Sequence, residues 1–130
     1  MPLVRIDIIE NRRTPAQVKV LADAIQQVML DTFDAPVGDR YQVITEHKPG
    51  HIIVEDSGLG FQRSVNIVVV QIFQQGRDEA KKVKMYQALA ERLEQETGLS
   101  PEDLIISVTA NTRGDWSFGR GTAQFLEGHL

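Results

Sequence analysis

The sequence predicts an α/β (α+β) domain in which two tandem β-α-β units form a four-stranded sheet with both helices on one face. Three observations carry this. Four short runs have the alternating or continuous apolar character of strands. Two long stretches between them carry apolar residues at helical spacing. The order strand, helix, strand is then traversed twice, over residues 3–47 and 65–110. A hairpin insertion between the units and a turn-rich C-terminal tail complete the expected architecture.

The first strand is expected over Leu3–Ile9, where Val4, Ile6 and Ile8 share one face. Pro2 stands at its head, a position where a missing backbone donor is tolerated. Thr14-Pro15-Ala16-Gln17 has the form of a capping box with proline in the first helical position. The helix it opens buries Val18, Leu21, Ile25, Val28 and Met29, and Phe33 closes the stripe. "DAPVGDR" breaks this helix, and "YQVITEH" alternates as a half-buried strand. "KPG" then turns the chain, and "HIIVE" is expected to pair back across it as the second arm of a hairpin.

After the loop "DSGLGFQRS", the run "VNIVVVQIF" is apolar on both faces, as in a central strand covered on both sides. A second helix runs from near Asp78 to Thr97, with Val83, Tyr86, Leu89, Ala90 and Leu93 on one face, and Gly98 ends it. "SPED" forms a short turn, and "LIISVTA" is the last strand. Trp116, Phe118 and Phe125 anchor the tail. With both helices on one side, the Val and Ile residues of the other sheet face lie open, so self-association is expected.

The 130 residues fit one domain, taken as 1–130, and can bury a core without staples. There is no cysteine, which excludes disulfides and thiolate chemistry. A net charge of −4 without a basic tract gives no electrostatic support to nucleic-acid binding. No apolar run approaches the ~18 residues of a membrane span, and the start lacks a signal-type apolar region; a cytoplasmic protein is expected. His47 and His51 lack a third ligand, so no metal site is expected. "GLGFQR" has two of the three glycines of a nucleotide loop and the wrong surroundings.

Two positions can carry chemistry. A small residue at position 2 favours removal of the initiator methionine, which would leave Pro2 with a free secondary amine at the end of a sheet, a plausible proton-transfer group. Arg77 follows the central strand at the entrance to the second helix. A guanidinium next to a helix amino terminus suits an anionic ligand; the alternative is a solvated loop arginine. Asp39 and Arg40 follow "APVG", where aspartate serves turn chemistry.

The stretches "PLVRIDIIENR", "GDRYQ", "HKPGHIIVEDSGLGFQRS" and "DWSFGRGTAQFLEGHL" resemble the tautomerase superfamily over nearly the full length, and most closely its malonate semialdehyde decarboxylase branch. The resemblance implies an amino-terminal catalytic proline, a tautomerase-like fold, trimeric or hexameric packing and no cofactor. In the decarboxylase branch catalysis falls to that proline, to an aspartate in the segment like "GDRYQ", and to two arginines flanking a proline before the second helix. Here these are Pro2, Asp39 and Arg77, but Gln75 replaces the first arginine and Gly76 the intervening proline. An apolar wall of Trp116, Phe118, Phe125 and Leu130 is likewise implied.

Two guanidinium groups orient a carboxylate more firmly than one cation and an amide. The expected function is therefore keto–enol tautomerisation of a small 2-oxo acid by a homotrimer. The alternatives are decarboxylation of a 3-oxo acid such as malonate semialdehyde, and a binding module that kept the fold without the chemistry.

Overall fold

The computed structural model describes residues 2–130; the expected loss of Met1 lies outside them. The elements are β1 (Leu3–Ile9), α1 (Pro15–Thr32), β2 (Tyr41–His47), β3 (Val68–Gln75), α2 (Glu79–Thr97) and β4 (Leu104–Asn111). Single 3₁₀ turns occupy Pro101–Asp103 and Arg113–Asp115. The strands lie in the order β2-β1-β3-β4. Each outer pair is parallel and the central pair β1–β3 is antiparallel.

Both helices begin where the sequence caps them. Thr14 accepts from the Gln17 backbone N–H while Gln17 reaches back to the Thr14 N–H, closing the capping box. Asp78 accepts from the Lys81 N–H at the head of α2. That helix ends at Gly98, whose φ of 73° lies in the left-handed region that glycine enters without steric cost.

The helices pack on one face of the sheet. Val4, Ile6 and Ile8 of β1 and Val68, Val70 and Ile72 of β3 meet Leu21, Ile25, Val28 and Met29 of α1 and Met85, Leu89 and Leu93 of α2 in one core. On α2 the inward ridge is Met85-Leu89-Leu93, at spacings of four. Val83 is 52% exposed, so its expected place in the stripe is taken by Met85.

Three further expectations are corrected. The "HIIVE" segment forms no strand. The His51 N–H closes a turn onto the Lys48 carbonyl, and Ile53 is 83% exposed. Residues beyond it cross the end of the sheet, where Arg63 binds the carbonyls of Glu55 and Glu102 and the Ser64 N–H binds Asp103. The segment is thus drawn toward the start of β4 and cannot lie along β2.

The strand expected from Val65 instead starts at Val68, because the polar groups of Asn66 are already committed. Its carbonyl accepts from Arg13, its Oδ1 from Arg12, and its N–H bonds the Ser64 hydroxyl.

The far face of the sheet, where Val and Ile residues were expected to lie open, is mixed. By the register, Leu3, Arg5, Asp7 and Ile9 lie there beside Tyr41, Val43, Thr45 and His47 on one flank and Val69, Gln71 and Phe73 on the other. Val43 is 48% exposed, whereas Asp7 Oδ1 and His47 Nε2 form a 2.7 Å pair. β3 is therefore covered on its helix side alone.

Candidate active site

Four segments converge at the sheet end where β1 begins: Pro2, the α1–β2 connection, the β3–α2 connection and the tail after β4. Pro2 is buried. The direction of its nitrogen follows from strand alternation. Glu10 donates its N–H to the His47 carbonyl on β2, so the even-numbered residues of β1 turn their backbone polar groups toward that strand. The Pro2 nitrogen accordingly faces the start of β2, where the register puts Arg40 level with Pro2 and Asp39 one residue before it. Asp39 is half-buried and held by its N–H to the Pro36 carbonyl.

Arg77 is fastened firmly. Its Nε donates to the Phe33 carbonyl at 3.2 Å, and Nη1 donates to the Gln75 carbonyl at 2.8 Å and the Gly76 carbonyl at 3.3 Å. The guanidinium also lies 5.7 Å from the Phe33 ring centre and 3.8 Å from an Asp34 carboxylate oxygen. Lys81 hydrogen-bonds the same carboxylate and, with Arg77, holds the Asp34 carboxyl below the ordinary carboxylate range. These contacts use Nε and Nη1, and Nη2 makes no hydrogen bond among the described residues.

The Phe33 carbonyl also accepts from Gln74 Nε2, at 3.0 Å. Gln74 is one step past the Leu3–Phe73 pair and so opposite Pro2. Its Oε1 is buried with no donor among the described residues. Gln75 lies on the other sheet face, paired with Asn111 in register.

The tail supplies an aromatic wall. Trp116 stacks on Phe118 at 5.4 Å, and Phe125 meets Phe118 edge-on at 5.6 Å. Trp116 Nε1 donates to Asn111 Oδ1, which ties the wall to the end of β4. Phe118 also stacks on Tyr41 at 5.7 Å, and Tyr41 neighbours Leu3 in register. Tyr41 is thus a wall residue that sequence reasoning missed; its signal was the alternation that puts it on the same face as Leu3. Leu130 ends the chain 62% exposed.

The remaining arginines divide clearly. Arg40 is paired with Asp23 on α1, and Arg63 is bound at the opposite end of the sheet. Arg113 lies 5.3 Å from the centre of the Phe125 ring. Among the described residues no group of three or more His, Cys, Asp or Glu is arranged to hold a metal. No described helix is long and apolar enough to cross a membrane.

Comparison with known proteins places this geometry. Two family profiles, both described as tautomerase enzyme, match residues 39–119 and 2–62. The chain is 49% identical over 130 residues to the Bacillus subtilis (strain 168) protein named Probable tautomerase YrdN, covering all of both chains. It is 29% identical to Probable tautomerase YusQ of the same organism, over 98% of this chain and 100% of that one. Among solved structures, a malonate semialdehyde decarboxylase superposes with a TM-score of 0.93 at 43% identity, covering 98% of each chain. A second malonate semialdehyde decarboxylase, inhibited by 3-bromopropiolate, gives 0.92 at 40% identity, over 98% of this chain and 97% of that one. A native fused 4-OT shares the fold, with a TM-score of 0.77 at 18% identity, over 96% of this chain and 98% of that one. Capped helices on a β2-β1-β3-β4 sheet, a proline heading its first strand and a full-length match to these proteins lead to one assignment: the chain belongs to the tautomerase superfamily, in the branch that resembles malonate semialdehyde decarboxylase.

Proposed function

We propose that this chain is a cofactor-independent enzyme that moves a proton on a small 2-oxo acid with the amine of Pro2, freed by loss of Met1. The amine of an α-amino group starts near pKa 8, so about a tenth of it is neutral at pH 7 and available as a base. Neutral Pro2 takes the hydroxyl proton of the enol and returns a proton to carbon, which regenerates the base. Arg77 holds the carboxylate through Nη2, Asp39 orients water or substrate, and Gln75 donates a weaker hydrogen bond. Trp116, Phe118, Phe125 and Leu130 supply apolar contact for the rest of the substrate.

The observation that carries this reading is the single braced cation. Arg77 is fixed by three backbone carbonyl contacts, and Gln75 has no charge to add. One anchor suffices to hold a 2-oxo acid while a proton moves. The test is ketonisation of enol phenylpyruvate by protein shown Met-free by intact mass. A clear rate in the Met-free protein, absent from Met-retaining protein, is expected. No rate in the Met-free form would overturn the reading and leave a binding module.

Decarboxylation of a 3-oxo acid is the second reading, favoured by 43% and 40% identity to two malonate semialdehyde decarboxylases. There protonated Pro2 would polarise the 3-carbonyl, the bond to the carboxylate would break, and carbon dioxide would leave.

A homotrimer belongs to the same proposal. Val43 and Tyr41 are exposed on the far sheet face, and a fused 4-OT of the same fold is a symmetric trimer. Light scattering is expected to give three times the chain mass, and a stable monomer at micromolar concentration would refute it.

A further inference from the structure

The antiparallel β1–β3 pair at the centre of the sheet gives the chain an approximate twofold relation: β1, α1 and β2 correspond to β3, α2 and β4. Aligning the helix caps Thr14 and Asp78 pairs Arg13 with Arg77, each directly before its cap. The same offset pairs Pro2 with Asn66. Asp103 precedes β4 much as Asp39 precedes β2. The end of the sheet opposite Pro2 therefore has the plan of the catalytic end.

That end holds a cavity of about 640 Å³, lined by Arg12, Arg13, Gln17, Ser64, Asn66 and Asp103 among others. This is within the range of small-molecule sites, roughly 300–1,000 Å³. Arg13 Nη2 donates to the Asn66 carbonyl at 2.9 Å, but Nη1 is buried with no partner among the described residues. A buried charged donor left unsatisfied is costly, so the Arg13 side chain, which lines the cleft, has a donor to spare for a ligand oxygen once it turns outward. Asp103 offsets part of the Arg13 charge, but no cleft carboxylate hydrogen-bonds Arg13 Nη1. Both oxygens of Asp103 accept from Ser64, Glu96 is paired with Arg92, and Glu102 accepts from the Gln62 N–H.

We propose that this second cleft binds a small carboxylate through Arg12 and Arg13, and that it does so without catalysis. The position equivalent to Pro2 is Asn66, whose nitrogen is a chain-internal amide that donates to the Ser64 hydroxyl. An amide N–H cannot take up a proton as an amine does. Arg12 lines the cleft, spends Nε on Asn66 Oδ1 and makes no other hydrogen bond among the described residues.

The test is an NMR titration of ¹⁵N-labelled full-length protein with malonate, against sodium chloride at matched ionic strength. The amides of Arg13, Ser64 and Asn66 are expected to shift saturably with malonate and not with chloride. Arg13→Gln should weaken that binding about tenfold, which is about 1.4 kcal/mol. Arg12→Gln, an exposed change, should weaken it about threefold and serves if Arg13→Gln does not fold. The proposal is overturned if these amides do not move, as they would not were a neighbouring chain to fill the cleft. Equal shifts in chloride, or variants that bind as the wild type does, also overturn it.

Discussion

Pro2→Ala is expected to lower oxo-acid turnover by about 10²–10⁴-fold, the usual contribution of a positioned acid–base group. Alanine also permits removal of Met1 and leaves an amine, so the variant keeps a basic nitrogen and loses its placement. The proline ring fixes φ and buries the residue against the sheet end, with the nitrogen turned toward the start of β2. A primary amine on a freer residue samples several directions. The measurement is the ketonisation rate of both proteins, each verified Met-free, with light scattering to show equal assembly. An unchanged rate would remove Pro2 from the mechanism.

Gln75→Arg is expected to raise carbon dioxide release from malonate semialdehyde about tenfold or more. A hydrogen bond to a charged partner is worth roughly 1.5–3 kcal/mol, and arginine can offer two in a fork. About 1.4 kcal/mol is a decade in rate. Gly76 limits the gain, since the backbone before Arg77 is less constrained than proline would make it. Native protein should decarboxylate weakly. If it already releases carbon dioxide briskly and the variant is no faster, Gln75 does not limit the reaction and decarboxylation becomes the leading function.

Most of the fold was legible because its signals are local. The Thr14 capping box, Gly98 in left-handed backbone and the alternation of Leu3–Ile9 each act within a few residues. The "HIIVE" segment misled for the opposite reason. Its alternation suits a strand, but Arg63 and Ser64 bind near Glu102 and Asp103, some forty positions away, and those contacts decide its path.

The candidate site divides in the same way. Pro2, Asp39, Gln75, Arg77 and the tail aromatics could be named from motifs. Tyr41 in the wall and the Phe33 carbonyl under Arg77 could not, since only the β1–β2 register and the end of α1 bring them there. The second cleft was wholly hidden: its walls come from segments near residues 12–17, 62–66 and 96–103 that meet only through topology.

The Phe33 carbonyl, shared by Gln74 and Arg77, has a consequence for stability. Losing Arg77 would loosen the tie between the end of α1 and the β3–α2 connection, leaving Gln74 as the remaining donor to the Phe33 carbonyl. An arginine bound to three backbone carbonyls serves the architecture, so its presence is poor testimony to activity. The Gln75 side chain makes no hydrogen bond among the described residues; only its carbonyl is engaged, by Arg77. Under the proposed function, a change of substrate preference is therefore expected from substitution at position 75, and a loss of stability as well as activity from substitution at position 77.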